Sequence, residues 1–163
     1  MKWLFRLRVC VLAFVTMVSV VGCASLLRAS YKDDYIQSQL ESYVYNEDFG
    51  LVWGQARSLL FERGYQVRDA REGRFLETDW LWTDTTQNER RRYMVSGFGS
   101  SQGFAVQFQY VRELHNPGVA PYTENRRDYD LEYALLKRVN KRAWQSIETA
   151  AENDADRRMA SQN

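Results

Sequence analysis

The sequence predicts a two-layer α+β sandwich, an antiparallel sheet of about four strands covered on one face by two helices. Three observations point there. Between Phe49 and Leu60 the apolar residues recur at intervals of three and four, the period of a helix with one buried stripe. After Gly64 the period drops to two and stays there through short runs separated by polar turns. From Leu135 to Ala150 the helical period returns. A sheet with one apolar and one wet face needs a cover, and two amphipathic helices supply it.

The elements follow in order. Residues 23–42 have no clear period and read as a tether, with room for a short helical stretch. Tyr43-Val44-Tyr45 is a brief first strand. Asn46 caps the first helix, with Glu47 and Asp48 placing negative charge at its start, where the dipole favours it. Its stripe is Phe49, Val52, Trp53, Ala56, Leu59 and Leu60, and Gly64 ends it as a left-handed C′ residue. Strands follow at Tyr65–Arg68, Phe75–Trp82, Arg91–Phe98 and Phe104–Arg112, joined by the polar turns DAREG and TTQNE and by Gly99–Gly103. The segment HNPGVAPYTENRR, with both prolines, is a loop. The last helix spans Asp128 to Ala151, with Leu135, Leu136, Val139, Ala143, Ile147 and Ala150 on one side and Lys137, Arg138 and Lys141 on the other. Residues 152–163 are polar and expected to be disordered. The order is β-α-β-β-β-β-α, or β-α-β-β-β-α without the weakest strand, in one domain over residues 43–151.

The chain start sets the compartment. Lys2, Arg6 and Arg8 precede the uncharged run VCVLAFVTMVSVV, shorter than the ~20 apolar residues that span a bilayer. A basic start, a short apolar middle and small residues after it mark a secretory signal peptide over residues 1–22. Its ending, VVGC, resembles the lipobox of bacterial lipoproteins. That resemblance implies a diacylglyceryl group on the Cys23 sulfur, cleavage before Cys23, and acylation of the new amine by chains such as palmitate. One chain holds a protein only marginally to a bilayer, whereas two or three hold it stably. Ala24 and Ser25 stand where an inner-membrane lipoprotein often carries aspartate, so the resemblance implies the outer membrane, with the domain in the periplasm.

Loss of Lys2, Arg6 and Arg8 reduces the 22 basic residues to 19 against 21 acidic ones, a formal −2. Nothing in that balance attracts nucleic acid or anionic lipid in bulk. Cys10 leaves with the signal and Cys23 is taken by lipid, so no disulfide forms in a compartment that would permit one.

The stretch GRFLETDWLWTD, Gly73 to Asp84, holds the most conspicuous side chains. As one strand it puts Leu76, Thr78, Trp80 and Trp82 on one face, where the tryptophans join Trp53 in a core aromatic row. Glu77 and Asp79 then meet water rather than share a proton or hold a metal, since no histidine or third acid accompanies them. His115, the only histidine, lies in a loop without a serine or cysteine nucleophile pattern. The glycines from Gly97 to Gly103 have the wrong spacing for a phosphate loop and open a strand. Arg90-Arg91-Arg92 is a solvated strand start. Tyr133, Lys137 and Trp144 lie off the stripe of the last helix, with Lys141 on the same polar side. They form either a docking surface or, for Trp144, a ring folded over the margin of the stripe. No metal site and no catalytic constellation emerges.

Taken with the lipobox, the segments RGYQV, DAREG, LETDWLW, RRYMVSGF and FAVQFQYV resemble a helix-grip domain of BamC, an accessory lipoprotein of the outer-membrane β-barrel assembly machine. TDWLW is the closest match, supported by Trp53, and the resemblance covers roughly Glu47 to Ile147. BamC has two such domains and a long partner-binding segment after its lipid; here there is length for one domain and about 20 residues of tether. The resemblance implies a non-enzymatic subunit without cofactors beyond the Cys23 lipid, docking on other assembly proteins. The alternative is a periplasmic module for an apolar ligand such as a lipid, its cavity lined by the row around Trp80 and Trp82.

Overall fold

The computed structural model describes residues 24–69, 74–100 and 103–162; the leader, Cys23 and most of the DAREG turn lie outside them. The described residues form two compact units, one within residues 38–146 and one combining residues 24–37 with residues 147–162.

The first unit is α+β, as expected, with more strands than the sequence suggests. Its sheet contains β1 (Val67–Asp69), β2 (Phe75–Thr78), β3 (Leu81–Trp82), β4 (Glu89–Ser100), β5 (Gly103–Leu114) and β6 (Tyr122–Arg127). All pairings are antiparallel, in the order β1-β2-β4-β5-β6, with β3 alongside β4. Two helices cover one face, α2 (Phe49–Glu62) and α3 (Tyr129–Val139), α1 being residues 24–41.

Helix α2 forms where its stripe predicts, and Val52, Trp53, Ala56, Leu59 and Leu60 are buried. Asp48 caps it rather than Asn46, its carboxylate accepting from Leu51 N at 2.9 Å. Gly64 takes the expected left-handed φ of 84°. On the sheet Leu76, Val95 and Phe108 are fully buried as well, each such residue contributing roughly 1.5–3 kcal/mol. Phe49 and Trp53 stack at 5.3 Å and lie so close to Gly97 that a Cβ there would sit 3.2 Å from the Phe49 ring.

Several boundaries differ from expectation. Tyr43–Tyr45 makes a single bridge, Tyr45 to Phe104, not a strand. The loop before the last helix contains β6, whose TENRR sequence is that of an edge strand guarded by charge rather than patterned by burial. The last helix is two. It breaks at Asn140, whose side chain accepts from Ala143 N at 2.8 Å and so caps α4 (Lys141–Ala160).

Helix α3 is anchored by a buried carboxylate. Glu132, 3% exposed, accepts from Phe108 N at 3.0 Å and from two Arg127 nitrogens at 2.8 Å. Arg127 also donates to Leu40 O at 3.1 Å. Burial pushes the Glu132 carboxyl above its ordinary range, and Arg127 pulls it back.

The second unit corrects two expectations at once. Residues 24–41 are helical, not a tether, and α4 continues to Ala160 through the segment expected to be disordered. Within the unit α1 and α4 run antiparallel, as Arg28 pairs with Asp156 at 2.7 Å and Lys32 with Glu152 at 3.4 Å. Ala151 and Ala155, one turn apart, are fully buried. Asp154 meets Arg157 at 3.0 Å and Arg158 at 2.7 Å along α4. Such a helix pair leaves no broad apolar stripe, because alanine and ion pairs do the work of leucine.

Glu132→Ala leaves the Phe108 amide without an acceptor and Arg127 without its carboxylate, and is expected to cost about 3–5 kcal/mol in urea denaturation. Glu132→Gln keeps an acceptor and should cost less, and equal losses would remove the node from the account. On the surface, Arg138 hydrogen-bonds Glu62 at 2.8 Å and holds its carboxyl down to about 2, against an ordinary 4.5. The depressed value means the pair's stabilisation is complete above pH 4.5 and disappears as pH falls towards 2. Glu62→Gln should therefore flatten the acid limb of a stability–pH curve.

Candidate functional site

The site starts from a mismatch in register. The last β2 pair is Glu77 with Met94, and the first β3 pair is Leu81 with Arg91. Between them stand Thr78, Asp79 and Trp80 on one strand against Arg92 and Tyr93 on the other. One extra residue is a β-bulge, and it moves every later side chain to the opposite face. Thr78 is the last residue of the strand turned to the core; its hydroxyl accepts from Tyr93 N at 2.8 Å and donates to Asp79 O at 3.1 Å. Beyond the bulge Leu81 takes the helix side, its Cδ2 3.9 Å from where Gly64 would carry a Cβ.

Trp80 and Trp82 therefore do not join the core row, and of the expected three only Trp53 is buried. Trp80 lies against two guanidiniums, Arg90 at 4.6 Å and Arg92 at 5.0 Å from its ring centre. These arginines alternate with core-facing Tyr93 and Val95 on β4, which puts them on the face opposite α2 and α3. Arg92 binds Glu77 at 2.8 Å, and Arg90 binds both oxygens of Glu113 at 3.0 Å. Trp82, 40% exposed, lies 5.7 Å from Arg90 and 5.4 Å from the ring of His115. His115 Nε2 lies 2.5 Å from Glu113 Oε1.

The result is a continuous row of alternating rings and charges. The Nε atoms of Arg90 and Arg92 are buried without an oxygen acceptor, so the indole face is what compensates their lost hydration. Arg90 holds the Glu113 carboxyl below its ordinary range. The flat, half-exposed surface presents aromatic rings and fixed guanidinium forks, side chains that suit it to contact with another protein.

Cys23 lies outside the described residues. Tyr133, Lys137 and Trp144 are brought together across the α3–α4 break, with the Lys137 ammonium 4.5 Å above the Trp144 ring and the two aromatic centres 6.2 Å apart. Trp144 is half-buried, its ring beside that of Tyr133. Lys141 is exposed at the first position of α4. Asp79 pairs with Arg68 at 2.8 Å, and Glu77 is engaged by Arg92, so neither carboxylate stands as a bare solvated group.

On the helix-covered face, Arg63, Tyr65, Arg91, Tyr93 and Asp128 line an open polar cleft of about 450 Å³, with Leu81 and Trp82 at its edge. Tyr93 donates to Asp128 at 2.6 Å, and burial raises both tyrosine hydroxyls above their ordinary range.

Sequence reasoning missed Arg90, Arg92 and Glu113 as partners of the tryptophans. The available signal was parity: alternate members of Arg90-Arg91-Arg92 must face alternate sides, so two share one surface. Neither protein-family models nor curated proteins yield a match to this chain.

Trp80→Ala removes two cation–π contacts and is expected to cost about 1–2 kcal/mol, measured by urea denaturation. Arg92→Lys should lose part of that, and a Trp80→Ala variant as unstable as a core deletion would mean that the ring is buried after all.

Proposed function

We propose that this chain is an outer-membrane lipoprotein, anchored by acyl chains on Cys23 and facing the periplasm. Its folded part acts without catalysis, as a protein–protein interaction subunit in outer-membrane protein assembly. The single observation that supports it from the fold is the bulge. Placing Trp80 and Trp82 under the helices would bury large apolar area; the extra residue at Asp79–Trp80 turns them outward instead, into a row of paired arginines. Bulges recur where a side chain is re-aimed for a purpose. Tryptophan and arginine are also the residues that carry most binding energy at protein interfaces. The lipobox resemblance supports the location, and the resemblance to BamC supports the class of partner.

The alternative is a module for an apolar ligand such as a lipid; of its expected lining, Trp80 packs instead on Arg90 and Arg92, and Trp82 edges a cleft whose other walls are mostly polar. One feature still favours it, a shallow groove of about 470 Å³ along α2 lined by Gly54, Phe61 and Val67.

Crosslinking from the anchored protein in intact envelopes, followed by mass spectrometry, tests the leading reading. Barrel-assembly subunits should be recovered, and Trp82→Ala should reduce their capture at least about tenfold, the equivalent of 1.4 kcal/mol, while the domain stays folded. Tyr133→Ala and Trp144→Ala should weaken capture without unfolding the domain; loss of stability and capture together would assign both to packing. Unchanged capture by Trp82→Ala would sink the role of the row, and a co-purified lipid would promote the alternative.

A further inference from the structure

One surface of the α1–α4 pair is left unexplained by the contacts above. At the first turn of α1, Leu26 is 74% and Leu27 37% exposed, although the helix pair offers burial elsewhere. Because the helices are antiparallel, the end of α4 lies beside that turn. The pairing of Arg28 with Asp156, the Arg158 guanidinium 5.3 Å over the Tyr31 ring, and the hydrogen bond from Gln162 to the Tyr31 hydroxyl fix this arrangement. Arg157, with 77% of its side chain exposed, and Met159 therefore share the end of the pair with the two leucines.

The mixture is specific. Two exposed leucines and a methionine supply apolar surface, while Arg157 and Arg158 lie at the same end with Asp154 as their shared counter-ion. Exposed leucines and a half-buried methionine at the same end of a helix pair as two arginines suit the boundary between acyl chains and lipid phosphates. Residue order supplies the occupant, because Cys23 immediately precedes the first described residue of α1, Ala24.

We infer that this end of the helix pair rests on the bilayer surface, with Leu26, Leu27 and Met159 at the acyl boundary and Arg157 and Arg158 at lipid phosphates. The inference rests on the proposed lipidation of Cys23 and extends it: the chain's C-terminal helix, more than a hundred residues from the anchor, is a second membrane contact. Helix α1 starting directly after the anchor leaves no flexible spacer to carry that end away.

The test uses the full lipidated chain in vesicles of phosphatidylethanolamine and phosphatidylglycerol. With Cys10 cleaved off and the Cys23 sulfur alkylated, a cysteine introduced as Met159→Cys is the only free thiol and takes a bimane label. A matched label at Thr149→Cys sits ten residues earlier in α4, about 15 Å along the helix. The Met159 label should shift to the blue and lose roughly threefold or more of its intensity when the lipids carry brominated acyl chains, while the Thr149 label stays in water. Leu26→Asp combined with Leu27→Asp should abolish the difference. Two labels that respond alike, in protein whose Cys23 is shown by mass spectrometry to be lipidated, overturn the inference and leave the anchor standing. An unmodified Cys23 in the mature chain overturns both.

Discussion

The first unit depends on a single buried carboxylate at the point where sheet becomes helix. Strand β6 ends at Arg127, and from there on β5 would face empty space with its hydrogen-bonding groups. The chain solves this twice over: Asp128 N donates to Phe108 O at 2.8 Å, and Glu132 reaches back to accept from Phe108 N. A side chain thus finishes the ladder that the strand leaves open. Arg127 neutralises it and ties in Leu40, so strand, helix start and the end of α1 share one node. Removing a charge from water is costly, and the raised Glu132 carboxyl is the signature of that cost. What it secures is registry, since fixing Glu132 fixes Leu131, Leu135 and Leu136 against the sheet.

A second constraint acts through counting. Side chains on a strand alternate with a period of two, so one inserted residue inverts the faces completely. Before the bulge Leu76 and Thr78 point to the core, and after it Leu81 does. The tryptophans are left out of the core, Trp80 against Arg90 and Arg92 and Trp82 beside Arg90. The two faces thus use aromatics differently. Under α2, Phe49 and Trp53 press on a glycine; on the other face Trp80 lies against two guanidiniums whose carboxylate partners hold them in place.

The α1–α4 pair follows another logic. Fully buried alanines and cross-helix ion pairs hold it, not a leucine stripe, and its most exposed apolar residues gather at one end. Covering such a surface with another apolar phase removes it from water, which connects a local packing choice with the proposed life of the chain on a membrane.

By itself, the sequence determined the α+β class, helix α2 with its buried stripe and Gly64 stop, the runs that became β4 and β5, and the grouping of Tyr133, Lys137 and Trp144. These features rest on local periods and on residues within a few turns of each other, which pattern can reveal. Tertiary structure alone decided the rest. Strand β6 exists because β5 offers it an edge, not because TENRR prefers to be extended. Residues 24–41 and 152–160 are helical because each half of the pair meets the other's charges across more than a hundred residues of chain. The faces of Trp80 and Trp82 were set by the register of β3 on β4, a quantity that lives between strands and is invisible in either one.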